Sequence, residues 1–196
     1  GVSENASLPG EWSSSKNVLW TRELPGRGWS SPVVWGKRVF VTTVTTDGQQ
    51  WEAKKGLYFG GNRYQPPTGT HHWKVICLDL ETGKMIWEQT PLTGKPRGSI
   101  HIKNSYASET PVTDGERVYA YFGNHGLFCY SVTGKLLWKK EWPVVKTRYG
   151  WGLAASPVLH DGCLYIVNDN EEKSFLVALD AKTGSQIWRT ARDGEK

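Results

Sequence analysis

The residues of this chain that could do chemistry sit in polar connecting stretches. His71 and His72 are adjacent, and imidazole is a common metal ligand. In extended chain, neighbouring side chains point to opposite faces, and no carboxylate cluster accompanies the two. The pair therefore reads as part of a solvated loop. His101 and Lys103 are two residues apart, which puts both on one side of an extended segment and suits contact with an anion or phosphate. Trp29, Tyr106 and Trp151 offer flat rings for ligand stacking, although ordinary packing is the preferred reading for each. Arg63, Tyr64 and Arg148 add cationic and aromatic groups in similar stretches.

Other chemistry is harder to assemble. The sequence holds no Ser-His-Asp order, no P-loop and no nucleotide-binding glycine pattern. Its three cysteines, Cys77, Cys129 and Cys163, are odd in number and include no C-x-x-C, which argues against a disulfide framework or a zinc site. No catalytic residue and no metal site is assigned. The net charge of +5 reads as scattered with both signs mixed, the pattern of a soluble surface, so a nucleic-acid partner is not expected. No apolar run approaches the ~18–20 residues of a membrane-spanning helix. The polar opening GVSENASLPG shows no signal peptide.

Positioning these residues requires a scaffold, and the scaffold is repetitive. LDLETGKMIW at Leu78–Trp87 recurs as YSVTGKLLW at Tyr130–Trp138 and LDAKTGSQIW at Leu179–Trp188. Each copy is an apolar strand end, a polar Thr-Gly turn and a second strand that ends on Trp. Gly83, Gly134 and Gly184 supply the positive φ of a tight hairpin, and Asp79 and Asp180 can bond their own turn backbone. Upstream, Ser31-Pro32, Thr110-Pro111 and Ser156-Pro157 each open a strand, and the returning strand begins seven residues after each Pro. Cys77 and Cys129 occupy matching positions and Ala178 the third, which describes a small buried slot. Aromatics make up 12% of the chain, with 11 Trp, 22 Gly and one Met, a mixture that favours strands and turns.

Each unit is therefore four short strands. The terminal Trp recurs at Trp20, Trp87, Trp138 and Trp188, each indole expected to wedge between neighbouring sheets. The organisation reads as a tail at 1–15, a lone outer strand at 16–28, and a first unit at 29–90 with an insertion at 45–72 between its second and third strands. A linker and second unit follow at 91–142, a linker and third unit at 143–190, and the start of another connection at 191–196. Four-stranded units repeating about every 50 residues are the signature of a β-propeller blade. In such a blade the first and third turns share one face. The second turn and the connection to the next blade share the other, and this long-connection face gathers Trp29, Arg63, Tyr64, His101, Lys103, Tyr106, Arg148 and Trp151.

The segments SPVVWGKRVFV, ETPVTDGERVYAYF and SPVLHDGCLYIV, each followed by its T-G-x-x-x-W hairpin, resemble the repeat of the pyrroloquinoline-quinone-like (PQQ-like) propellers over roughly residues 16–190. The resemblance implies an all-β, partial β-propeller of antiparallel blades. The family includes quinone-dependent alcohol dehydrogenases, which hold PQQ and calcium in the central channel, and non-enzymatic propellers. Its enzymes bring an adjacent cysteine pair and carboxylate and amide ligands from several blades. Here no cysteines are adjacent, and Glu109 and Asn104 alone do not make a shell of six to eight oxygens. The expected function is a non-catalytic scaffold that binds protein or ligand through its long-connection face, with no cofactor. The alternative is part of a quinone-dependent dehydrogenase, for which PQQ and Ca²⁺ would be needed. Three blades leave faces uncovered, so the expected partners are further blades of a longer chain or other copies of this one. Family analogy implies a periplasmic or otherwise extracytoplasmic location.

Overall fold

The structure, a computed structural model, describes residues 9–48, 69–101 and 103–192. Three four-stranded antiparallel sheets follow one another along the chain, each a simple meander. Blade 1 comprises β1 (Val33–Trp35), β2 (Arg38–Thr46), β3 (His71–Asp79) and β4 (Met85–Gly94). Blade 2 comprises β5 (Val112–Thr113), β6 (Arg117–Tyr121), β7 (Leu127–Ser131) and β8 (Leu136–Lys140). Blade 3 comprises β9 (Val158–His160), β10 (Cys163–Asn168), β11 (Phe175–Asp180) and β12 (Gln186–Ala191). The ladder between β2 and β3 runs from Arg38–Asp79 to Thr46–His71. Thr45, Thr46, His71 and His72 thus belong to strands, and the insertion between them is shorter than 45–72.

The third turn of each blade is built from the same parts. Asp79 Oδ1 accepts from the Thr82 backbone N–H at 2.8 Å and from its hydroxyl at 2.7 Å; Asp180 does the same with Thr183 at 2.7 and 2.8 Å. Blade 2 replaces the carboxylate with the Ser131 hydroxyl, 2.8 Å from that of Thr133. Past the turn, the small residue faces the terminal indole across the ladder: Cys77–Trp87, Cys129–Trp138 and Ala178–Trp188. The register slips by one residue immediately beyond each of these pairs, a bulge repeated in all three blades.

The indoles join the blades. Trp20, Trp87 and Trp138 lie on Gly83, Gly134 and Gly184 of the following hairpin, where a Cβ would come within 2.5, 3.0 and 2.7 Å of the ring. Each indole N–H donates into the same hairpin, to Leu80 O (2.9 Å), Val132 O (3.0 Å) and Ala181 O (3.2 Å). These glycines therefore serve two needs, a left-handed turn and a flat seat. Alanine in place of Gly184 should cost about 2–3 kcal/mol, since the φ penalty adds to a clash with Trp138. Gly162, at φ 70° with nothing within 4 Å of a Cβ, isolates the backbone part, about 1 kcal/mol. Urea midpoints of the two variants, compared with the parent, check the difference.

Packing between blades explains the strand patterns. Phe40, Val75 and Cys77 of blade 1 meet Val118, Ala120 and Phe128 of blade 2. Tyr119, Leu127 and Cys129, on blade 2's other side, meet Leu164, Ile166 and Val177 of blade 3. Burial is accordingly almost continuous along β2 and β6, which are covered on both faces. It alternates along β10, and β12 is exposed throughout. Trp188 departs from the expected wedge: it is 41% exposed, because among the described residues no further hairpin receives it.

The stretch 16–28 takes the place of a neighbouring blade without strand pairing. Trp20 and Leu24 pack against Val39, Val41, Ile76 and Leu78. Among the described residues, the only ladder contacts along it are single bridges, Ser13–Lys16 and Arg27–Val44. Trp20 and Leu24 lie on a sheet face, whereas Arg27 exchanges two backbone hydrogen bonds (2.9 and 2.8 Å) with Val44 on the edge of β2 that β1 leaves open.

Candidate binding face

The connection between blades 1 and 2, the turn 122–126 of blade 2, and the connection between blades 2 and 3 meet on one face. Beneath them lies a cavity of about 20 Å³, lined in part by Arg97, Ser105, Glu109, Gly123, His125 and Leu153. That is room for about one water molecule.

Its titratable groups are committed to the structure. His125 is buried in a Gly-flanked turn; its Nδ1–H donates to Phe122 O (3.1 Å) and its Nε2 accepts the Arg97 backbone N–H (2.8 Å). Burial, aided by the charges of Arg97 and His71, pulls its pKa down to about 4. The imidazole is therefore neutral, with one tautomer fixed. It stacks on Trp73 at 4.2 Å and meets Tyr106 edge-on at 5.6 Å. Trp73 Nε1–H donates to Tyr106 O (3.0 Å), and Tyr106 Oη–H donates to Gly98 O (2.8 Å). Tyr106 is thus a packing residue.

Glu109 is buried and its carboxyl is pushed up to about 8 by desolvation, only partly offset by hydrogen bonds from its own and Ser108's backbone N–H. At neutral pH it is mostly an uncharged acid. The Tyr121 hydroxyl, influenced by Glu109, is buried with Asn168 as its polar neighbour and makes no well-formed hydrogen bond among the described residues.

His71 is not in a solvated loop. Strand β3 reaches it, burial lowers its pKa, and its Nδ1 lies 3.0 Å from Gly69 O. His72, on the opposite face, contacts Asp47 at 3.0 Å. The segment holding His101 and Lys103 turns instead of extending: Asn104 N–H donates to His101 O (2.8 Å) and Lys103 N–H to His101 Nδ1 (3.2 Å). The turn removes the shared side expected of an extended segment, and His101 meets Trp151 edge-on at 5.3 Å. Arg148 lies 5.3 Å over the ring of Tyr149, which is 5.1 Å from Trp151. Of the expected face residues, the fold brings together His101, Arg148 and Trp151, with Tyr149 linking them. Trp29 is half-exposed, and among the described residues no ring contact joins it to this group. Arg63 and Tyr64 lie outside the described residues.

Among the described residues, the two candidate calcium ligands, Asn104 and Glu109, are both engaged in local hydrogen bonds. Among the described residues no three His, Cys, Asp or Glu side chains gather to hold a metal. Asn104 Oδ1 is taken by Ser105 N–H (2.9 Å) and by the Ser108 hydroxyl, and the buried Glu109 carboxyl accepts from its own and Ser108's backbone N–H. Burial raises the Cys77 and Cys129 thiols to about 11 and 12, which leaves them inert.

Comparison with known proteins follows the fold. The family described as "Outer membrane protein assembly factor BamB" matches residues 129–196. A protein of that name from Kangiella koreensis is 31% identical over 123 residues, 62% of this chain and 28% of the relative. The dehydrogenase subunit of a quinone alcohol dehydrogenase from Gluconobacter oxydans is 25% identical over 199 residues, 95% of this chain and 25% of the relative. These matches support a PQQ-like propeller repeat, with the family model itself confined to residues 129–196. A solved europium-containing methanol dehydrogenase overlays with a TM-score of 0.55 at 16% identity, covering 83% of this chain and 24% of that one, which shows the shared fold. The PQQ-like repeats here span about a quarter of the length of the curated relatives they match.

Proposed function

We propose that this set of PQQ-like blades is a non-catalytic scaffold that binds a protein partner through its long-connection face. The observation that carries this reading is a division of labour among the site residues. The buried groups around the cavity, His125 and Glu109, are neutral and occupied in packing, whereas the exposed rings and cations are held on tied-down connections. Likeness to an assembly factor supports the reading. The same likeness supports an extracytoplasmic location; among the described residues no helix is long and apolar enough to cross a membrane.

A photo-crosslinking residue at Tyr149 should give partner adducts in the native host extract, while one at Lys84, on the opposite turns, should give none. Equal labelling at both positions would overturn the reading. The similarity to a quinone alcohol dehydrogenase supports the second reading, part of such an enzyme. Titration with PQQ and Ca²⁺ separates the two: stoichiometric uptake followed by dye reduction with an alcohol would favour the enzyme.

A further inference from the structure

The two connections that cross this face, 91–108 and 143–155, contain Lys95, Arg97, Lys103, Lys146 and Arg148 and no Asp or Glu. The chain has 24 Lys and Arg against 19 Asp and Glu, so the rest of it balances to zero. The excess that reads as scattered along the sequence is gathered by the fold.

The two connections are pinned to each other. Ser99 Oγ–H donates to Gly150 O (2.8 Å) and His101 N–H to Trp151 O (3.0 Å). Gly152 N–H donates to Thr147 Oγ1 (2.7 Å), closing the second connection on itself. Tyr149 is held at φ 55° within this frame, a left-handed conformation that costs an L side chain about 1–2 kcal/mol. Glycine would adopt it freely, yet the position carries a ring that is 67% exposed beside a Trp151 that is 44% exposed. Such strain persists only where the surroundings over-determine it.

The nearby charges are accounted for. Arg97 is paired with Glu141 at 3.1 Å, which Lys139 also approaches. Blade 3's turn carries Asp169, held by Arg192 at 2.8 Å, with Glu171 and Glu172; the Glu171 backbone N–H donates to Lys146 O (2.9 Å). Lys146 and Arg148 make no ion pair among the described residues. Among the described residues, two cations without an ion-pair partner thus flank two exposed rings.

We propose that this pair of connections docks an acidic, aromatic-bearing segment of a protein partner, its carboxylates on Lys146 and Arg148 and its ring against the exposed edge of the Tyr149–Trp151 pair. The proposal rests on the scaffold reading above. The rings of Tyr149 and Trp151 touch at 5.1 Å with their planes 46° apart, which presents an angled apolar ridge for one side chain and not a flat floor for a base or a sugar ring. The acidic turn at the margin repels a long polyanion such as a nucleic acid, while a short acidic segment can avoid it.

The probe is a fluorescein-labelled peptide of alternating Glu and Tyr, read by anisotropy against the whole chain. A Lys–Tyr peptide, a DNA oligomer and polygalacturonate serve as the other arms. The Glu–Tyr peptide should bind, and the double variant Lys146→Glu/Arg148→Glu should weaken it by roughly tenfold or more while gaining the Lys–Tyr peptide. Trp151→Ala should weaken it about three- to tenfold. Tyr149→Gly, which relieves the strain, should weaken binding without lowering the urea midpoint. All four positions are exposed, and circular dichroism verifies that the variants fold. Absence of binding, indifference to charge reversal, or equal binding of DNA or polygalacturonate would overturn the proposal. If Tyr149 still crosslinks to a partner while the Glu–Tyr peptide fails to bind, the scaffold reading stands and this one falls.

Discussion

Replacing Trp73 with alanine will destabilise the protein by about 4 kcal/mol, a loss typical of deleting a large buried aromatic. Trp73 is fully buried in β3 and supports the candidate face from beneath. Its ring contacts His125, Tyr106 and His71, and its N–H satisfies the Tyr106 carbonyl. Truncation therefore removes apolar burial, opens a void between blades 1 and 2, and leaves a carbonyl without its donor. Trp73→Phe separates these contributions: most of the packing stays and the hydrogen bond goes, for about 1–2 kcal/mol. Urea unfolding followed by circular dichroism reads both. A loss under about 1 kcal/mol for Trp73→Ala would mean that the blades do not share this core.

The second large effect is a dependence of stability on pH with two opposed slopes. Glu109 has a folded pKa of about 8 against 4.5 unperturbed, so between those values the folded state holds the extra proton. Its contribution is fully present below 4.5 and is lost as pH rises through 8. His125 has a folded pKa of about 4 against 6.5, so there the unfolded state holds the extra proton. Its contribution is present above 6.5 and is lost as pH falls toward 4; His71, lowered by burial, acts in the same direction. The slopes largely cancel between 4.5 and 6.5. Between pH 6.5 and 8 Glu109 acts alone, and stability should fall by roughly 2 kcal/mol. Glu109→Gln should abolish that fall and uncover the histidine slope, stability then rising by about 3 kcal/mol from pH 4 to 6.5. Urea titrations at half-unit intervals test it, and a parent protein equally stable at pH 6.5 and 8 would refute the assignment of a neutral Glu109.

The blades were legible in the sequence because their joints use residues with few substitutes. A left-handed turn requires glycine, a flat seat for an indole also requires glycine, and the turn is tied by an Asp or Ser and a Thr. Gly83, Gly134 and Gly184 meet both demands at once, so their spacing carried the architecture. The small residues at 77, 129 and 178 were legible as a slot, but their partner was not. Only the register shows each facing its own blade's terminal Trp.

The candidate site was legible as a face and not as an arrangement. His125, between Gly123 and Gly126, carries no local signal of burial; its environment comes from Trp73 and Tyr106, which are distant in sequence. His71 misled because strand length depends on the partner strand, and β2 continues to Thr46. The grouping of His101 with Trp151 depends on backbone bonds between connections about 50 residues apart.

The indole contacts also have a direction. Each runs from one blade to the hairpin of the next, so any two copies meeting through these surfaces would join head to tail, without two-fold symmetry. Among the described residues Trp188 has no such hairpin to enter. The seat on Gly83 of blade 1 is filled by Trp20. Another indole could take that seat only by first peeling the segment around Trp20 off blade 1.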